Sequence, residues 1–495
     1  MARPLADGTT AEPSAPLAGA RVHFDAGRYQ EAAQLCEQAF ADGVDTGEAL
    51  LLAGLIAERL GNGAAARAFF DRAVAEEPLN PVYRLANGVS CATGGALDAA
   101  EIHLTTALKL APDSFDAHTA LGDVHIGRFR LDEAKTHYEA AHALRPRSVE
   151  AIIKLSNIHR LLGDYEAAFT WIDAALEIDP DNAAANWNRA LLLLATGQLE
   201  SGFSAYEWRW RSKEFTFRRP SVPMWDGGDP AGRSILLVAE QGWGDQIQFS
   251  RYARVLQSLG ASVVFAAPAR GRALFDRLAG ADLVVEGRRH PPRCDFYVPL
   301  LSLPHLLGTT AKTIPSNVPY LQPDPQRVRD WDARLGGQGQ FRVGLVWRET
   351  PGATLEAAYR DIPPAALVPL THIPGVRFYG LPLGPVPREL ADDVADLSSE
   401  RDVDQAFEDT AAIVQNLDLV IAPDTVYCHI AGALGRPVWT LLSKEPDWRW
   451  PRTDETTLWY PTMRLFRQTT TGRWDEVMAR VATELPRIGK RPSIR

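Results

Sequence analysis

Residues 115–148 read F-D-A-H-T-A-L-G-D-V-H-I-G-R-F-R-L-D-E-A-K-T-H-Y-E-A-A-H-A-L-R-P-R-S, and they form one unit of a repeat. From about residue 13 to residue 216 the pattern returns every 34 residues without a slip of register. One column holds Ala32, Ala66, Ala100, Ala134, Ala168 and Gly202, and a second holds Ala20, Gly54, Gly88, Gly122, Ser156 and Ala190. Small side chains at these two positions let a pair of helices, A and B, cross closely. A third column reads Gly27, Gly61, Gly95, Phe129, Gly163 and Gly197. Pro78, Pro112, Pro146 and Pro180 mark the unit boundaries, where the missing backbone donor ends helix B.

A 34-residue period with this column chemistry resembles the tetratricopeptide repeat. The resemblance implies an α solenoid of about six repeats that recruits other chains. Helix A residues line the concave groove of such arrays. Here they include Asn87, His118, His125, Asn157, Asn186 and Arg189, whose polar side chains suit either a peptide-binding groove or plain solvation. His23, His125 and His159 share one repeat position, which reads as interface packing and not as a metal site.

The net charge of −10 argues against a nucleic-acid or anionic-membrane surface. Cys36, Cys91, Cys294 and Cys428 are scattered without C-x-x-C spacing, so neither zinc nor a disulfide framework is expected and a cytoplasmic setting fits. The Ala- and Pro-rich start has no apolar run of signal-peptide length, residues 1–12 read as a floppy tail, and no membrane span is expected.

The sixth unit runs into Tyr206-Glu207-Trp208-Arg209-Trp210, a Trp-rich end suited to capping the array against a following domain. After a linker near residue 220 the texture changes to short apolar runs separated by amphipathic stretches. Strands are expected at 234–239, 262–267, 282–286 and 296–300, with a helix over 246–259. A break rich in Pro and Gly spans 311–340, and a second series follows with strands at 342–347, 376–381, 417–422 and 437–442. Helices are expected near 363–371, 403–416 and 426–434, and a last one near 474–485 is positioned to pack back across the domain boundary. The organisation is therefore a solenoid over 13–216, a Rossmann-like half over 232–325 and a second Rossmann-like half over 340–490.

Three loops after strands carry candidate chemistry. Glu240-Gln241-Gly242-Trp243-Gly244-Asp245 has two glycines for close backbone approach, and Asp245 caps the next helix or acts as a base. Asp424-Thr425 opens a helix whose N-terminus attracts phosphate, with His429 about one turn on; an N-cap with a core histidine fits equally. After Trp347, Arg348 and Arg360 suit a diphosphate or a carboxylate, or solvent.

Together these loops resemble the bacterial heptosyltransferases, glycosyltransferase family nine. The resemblance rests on E-Q-G-W-G-D (240–245), G-L-V-W (344–347), D-L-V-I-A-P-D-T-V-Y-C-H-I-A-G-A-L-G-R-P-V-W (418–439) and P-D-W-R-W (446–450). With W-Y-P-T-M-R-L-F-R-Q (459–468), the chain looks like the branch in which this domain follows tetratricopeptide repeats. It implies a GT-B fold, an acceptor half followed by a nucleotide-sugar half, and inverting transfer with no metal or other cofactor. Asp245 then falls on the family's base, and Asp424, Thr425 and His429 fall on its phosphate- and sugar-contacting set; Gly242, Gly244, Gln246, Trp347, Arg348 and Arg360 join them as candidates for binding substrate or donor. Some members of the repeat-bearing branch modify flagellin with a nonulosonic acid carried on CMP, the repeats binding the flagellin. The chain departs from the family pattern in the 348–352 stretch and at Val426.

The expected function is transfer of a sugar from a nucleotide-sugar donor to a protein hydroxyl, with flagellin the leading acceptor. A repeat-based adaptor with an inactive transferase half is the reading from another class. Transfer to a saccharide leaves the repeats idle.

Overall fold

The computed structural model describes residues 15–212, 215–269, 271–287, 292–337, 339–348, 360–401 and 406–488. The expected tail at 1–12 and the departing residues 349–352 lie outside the described residues. The chain divides into two compact units, Met1–Ile158 and His159–Arg495, so the division falls inside the array and not at its end.

In the first unit the helices follow the 34-residue period: Ala15–Asp25 and Tyr29–Ala41, Gly47–Arg59 and Gly63–Glu76, Pro81–Thr93 and Leu97–Leu110, Phe115–Gly127 and Leu131–Leu144. The small-residue columns are the crossing points. A Cβ on Gly54 would lie 2.3 Å from Phe70 Cε1, and one on Gly122 would lie 2.4 Å from Tyr138 Cε1. Gly122→Ala is therefore expected to destabilise this unit by about 1–3 kcal/mol through overpacking, measured by denaturant unfolding. The third column follows helix A in the left-handed region, with φ of 73° at Gly27 and 60° at Phe129. This unit also holds a histidine cluster, with His118 Nδ1 3.0 Å from His137 Nδ1 and the His125 ring stacked on His137 at 5.2 Å.

Burial and the two neighbouring imidazoles depress His137 to about 4, and burial followed by Arg130 depresses His125. Arg128, Glu101 and Glu133 also face this cluster. These histidines are held neutral in the fold, so the unfolded chain takes up protons first as pH falls below the ordinary value of 6.5. Stability is full above that value and is lost as pH drops toward about 4. The melting temperature should fall between pH 7.5 and 5, and His137→Gln should reduce that fall. An unchanged pH dependence in the variant would contradict the assignment.

The second unit begins with the end of the array, namely Tyr165–Ile178, Ala183–Ala195, Leu199–Tyr206 and a 3-10 turn over Glu207–Arg211. Two parallel sheets follow. The first contains β1 (Ser234–Val238), β2 (Ser262–Ala267), β3 (Leu283–Glu286) and β4 (Phe296–Pro299) in the order β3-β2-β1-β4. The second contains β5 (Phe341–Leu345), β6 (Val376–Gly380), β7 (Val394–Asp396), β8 (Leu419–Pro423), β9 (Val438–Leu442) and β10 (Met463–Arg467) in the order β10-β9-β8-β5-β6-β7. Every strand pairing within them is parallel.

Strand order reverses beside β1 in the first sheet and between β5 and β8 in the second. The three candidate loops follow β1, β5 and β8, at the carboxyl ends where open α/β sheets bind ligands.

Two expectations are corrected. The 311–340 break contains the helix Pro325–Leu335, started by an Asp324 cap and a proline in its first turn. The last helix, Trp474–Ile488, does not reach back across the domain boundary. Trp474, Val477, Met478, Val481 and Leu485 pack into the core of the second sheet with Leu367, Leu370 and Phe466.

Candidate functional site

The loop after β1 is set by its glycines and its aspartate. Gly242 precedes the helix Trp243–Ser250, and Asp245 Oδ2 accepts the Gly242 N–H at 3.0 Å. Gly244 comes so close to the second sheet's loops that a Cβ there would lie 2.9 Å from His429 Cδ2. Backbone approach of this kind is what glycine permits. It joins the loop after β1 to the helix after β8.

Asp245 Oδ1 pairs with Arg449 Nη2, 204 residues away in sequence. Arg449 also donates to Asp447 Oδ1 at 2.7 Å and lies over the Trp448 ring at 4.4 Å. Burial pushes the Asp245 carboxyl up and Arg449 pulls it down. Each of its oxygens accepts one of these bonds, and the balance leaves the carboxyl above its ordinary value.

Asp424 and His429 are buried at the start of the helix Val426–Ala433, with Asp424 Oδ1 3.9 Å from His429 Nε2. Burial raises the Asp424 carboxyl to about 6, Asp447 adds to the rise and Arg360 opposes it. Arg360 donates to the Asp424 carbonyl at 3.1 Å. The Thr425 hydroxyl turns back to the Pro423 carbonyl at 3.2 Å and caps no N–H of this helix.

His429 Nδ1 lies 2.9 Å from Tyr460 Oη, and its ring stacks on Trp450 at 5.6 Å. Burial, then Arg449, Arg251 and Arg360, hold it well below the usual imidazole range. A neutral imidazole supplies hydrogen bonds and not charge. Behind it, Arg251 donates to Tyr320 Oη at 3.0 Å and sits over the Tyr460 ring at 4.5 Å.

Asp424, Cys428 and His429 bring three ligand-type atoms within 4.8 Å of one another. The Cys428 thiol donates to the Thr425 carbonyl at 3.0 Å, and burial raises its pKa. A protonated thiol with the Arg360 guanidinium acting on it is a poor cation ligand.

The other expected residues divide. Gln246 Nε2 donates to the Gln241 carbonyl at 3.0 Å, so it braces the loop. Trp347 is only 2% exposed and belongs to the core of the second sheet, with its ring below Gly380, so it offers no ligand surface. Arg348 is exposed at the end of β5, and no hydrogen bond or ion pair among the described residues brings it to the cluster.

In the array, Asn87 is fully buried and donates to Asp71 at 2.8 Å, which removes it from the groove. His118 Nε2 lies 3.1 Å from the Pro112 carbonyl, so with His137 both its nitrogens are engaged; His125 is buried as expected for packing, and Asn157 is half-buried. Asn186 and Arg189 line a cavity of about 600 Å3 with Glu200, Ser204, Trp208 and His305. Arg449 and Asp447 lie in the P-D-W-R-W string and Tyr460 in W-Y-P-T-M-R-L-F-R-Q, strings that carry the resemblance without a role for these residues, and Arg251 lies in none of the motifs.

Tetratricopeptide-repeat family models match residues 17–81 and 156–197, so the chain carries these repeats and, with them, a protein-interaction module. Protein FlbA of Caulobacter vibrioides (strain ATCC 19089 / CIP 103742 / CB 15) is 32% identical over 356 residues, covering 66% of this chain and 59% of FlbA. The chain thus spans less than two thirds of that relative's length. The matched stretch is longer than either Ala15–Arg211 or Ser234–Ile488, so it takes in parts of both the array and the α/β region.

Among solved structures, YrrB, described as a TPR protein with an unusual peptide-binding site, is 19% identical, covers 36% of this chain and 91% of its own, and has a TM-score of 0.31. PilF of Pseudomonas aeruginosa is 14% identical, covers 40% of this chain and 90% of its own, and has a TM-score of 0.35. Among the described residues, no helix is long and apolar enough to cross a membrane.

Proposed function

We propose that the chain is a metal-independent, GT-B-type inverting glycosyltransferase that moves a sugar from a nucleotide-sugar donor to a protein hydroxyl, the acceptor being delivered by the repeats. The observation that supports it best is the meeting of the loop after β1 with the helix after β8, through Gly244 on His429 and Asp245 on Arg449. On this reading the first sheet belongs to the acceptor half and the second to the donor half, and the loops that meet follow strands beside the switch points of the two sheets.

The chemistry follows from the groups present. A donor phosphate competes for Arg449 and meets Arg360 and the N-terminal end of the helix Val426–Ala433, where dipole and guanidinium favour it. Arg449 then releases Asp245. The acceptor oxygen attacks the anomeric carbon, the carbon–oxygen bond to phosphate breaks, and the hydroxyl proton passes to Asp245. The departing nucleotide takes the bond's electron pair onto a phosphate oxygen held by the arginines. His429 donates or accepts one hydrogen bond without adding charge.

Flagellin is the acceptor of choice, because some members of the repeat-bearing branch that the chain resembles modify it and the repeats supply a surface for a protein. A nonulosonic acid carried on CMP is the donor to try first. Incubating the full chain with a flagellin and CMP-, UDP-, GDP- and ADP-linked sugars tests the reading by intact mass. A gain of one glycosyl unit with one donor is expected, and no gain with any donor would contradict it.

A further inference from the structure

The sixth repeat reaches into the site. Tyr206, the last residue of its second helix, is buried and donates its hydroxyl to Gln241 Oε1 at 3.1 Å. Gln241 has φ 59°, and among the described residues only it and Phe129 are non-glycine residues in the left-handed region. A side-chain-bearing residue keeps that conformation when its surroundings over-determine it. Gln246 holds its carbonyl, and Tyr206 holds its side chain.

One residue earlier, Glu240 is held by the same repeat end. Arg209 Nε and Nη2 donate to its two carboxylate oxygens at 3.1 and 3.0 Å, and the Leu301 N–H adds a third bond at 2.9 Å. The Tyr206 ring stands between Trp187 at 4.4 Å and Trp448 at 6.2 Å, and Trp448 is the residue before Arg449. Tyr206 therefore touches Gln241, in the turn before Asp245, and Trp448, the residue before Arg449, so one tyrosine of the array contacts the chain on both sides of the Asp245–Arg449 pair.

We propose that Tyr206 and Arg209 are positioning residues of the site, fixing the Glu240–Gln241–Gly242 turn so that Asp245 faces the second sheet's loops. Their service to sugar transfer rests on the function proposed above, whereas the holding of the turn does not. The last repeat is then a wall of the reaction site as well as part of the recruiting array.

The test is Tyr206→Phe in the full chain, a change that keeps the ring and removes one hydroxyl. Amide hydrogen exchange across residues 240–246 should speed up about tenfold, in step with loss of one local restraint, while β1 to β4 keep their protection. With a CMP-linked sugar and flagellin, kcat should fall about tenfold and the donor KM should stay, because misplacement of a reacting group acts on the chemical step. In a Gln241→Gly background the left-handed turn no longer needs a side-chain tether, and the same removal should have little effect. Unchanged exchange and kcat in Tyr206→Phe would leave Tyr206 a packing residue and overturn the proposal, as would an equal loss in the glycine background. If the unaltered chain transfers no sugar, the transferase reading fails, and the exchange measurement still decides the role of Tyr206.

Discussion

Replacing Asp245 by asparagine is expected to lower sugar transfer by about 10²- to 10⁴-fold, the range for losing a general base. The substitution is nearly isosteric, and the amide oxygen still accepts the Gly242 N–H that starts the helix Trp243–Ser250. Arg449 keeps Asp447 as a carboxylate partner, so the buried guanidinium is not stranded. Fold and donor binding should survive, and the loss should fall on kcat. Binding of the protein acceptor to the repeats should be unchanged, which separates recruitment from chemistry. Initial rates at saturating donor check this, and full activity in Asp245→Asn would remove the base assignment.

Arg209→Met should give the largest loss of stability, about 3–5 kcal/mol, because it leaves a buried carboxylate without its cation. The Arg209 and Glu240 side chains are each 1% exposed. Burial already raises the Glu240 carboxyl despite Arg209, and removing the arginine raises it further. The folded variant then binds a proton more tightly than the unfolded chain, so its deficit should shrink as pH falls from 8 to 5. Glu240→Gln on top of Arg209→Met should restore part of the loss, since the unpaired charge is gone. Urea unfolding of the full chain measures all three. An Arg209→Met deficit that does not change with pH would mean that lost packing, and not the stranded charge, causes it.

The repeats were legible because a 34-residue period writes the same packing problem six times, and the glycine slots under Phe70 and Tyr138 are its solution. Most strands were legible for a related reason. Parallel strands covered on both faces are unbroken apolar runs, as in β1, β2 and β8. β7 is only three residues long, and two arginines interrupt β10 (M-R-L-F-R), so neither has that texture.

Within the site, Asp245, Asp424 and His429 were found because each belongs to a strand–loop–helix motif. Arg449 and Tyr206 were not, since their meaning comes from partners brought together only by tertiary packing. Nothing local separates a tryptophan facing a ligand from Trp347 filling a core, or an outward asparagine from the inward Asn87.

Whether the second unit binds a nucleotide is the most direct question that can be put to the transferase account. Calorimetric titration of the full chain with CMP, UDP, GDP and ADP answers it. One of them, CMP first, should bind with a single site, and Arg360→Ala should weaken that binding. No heat with any of the four would contradict the account and leave the chain an adaptor built on tetratricopeptide repeats.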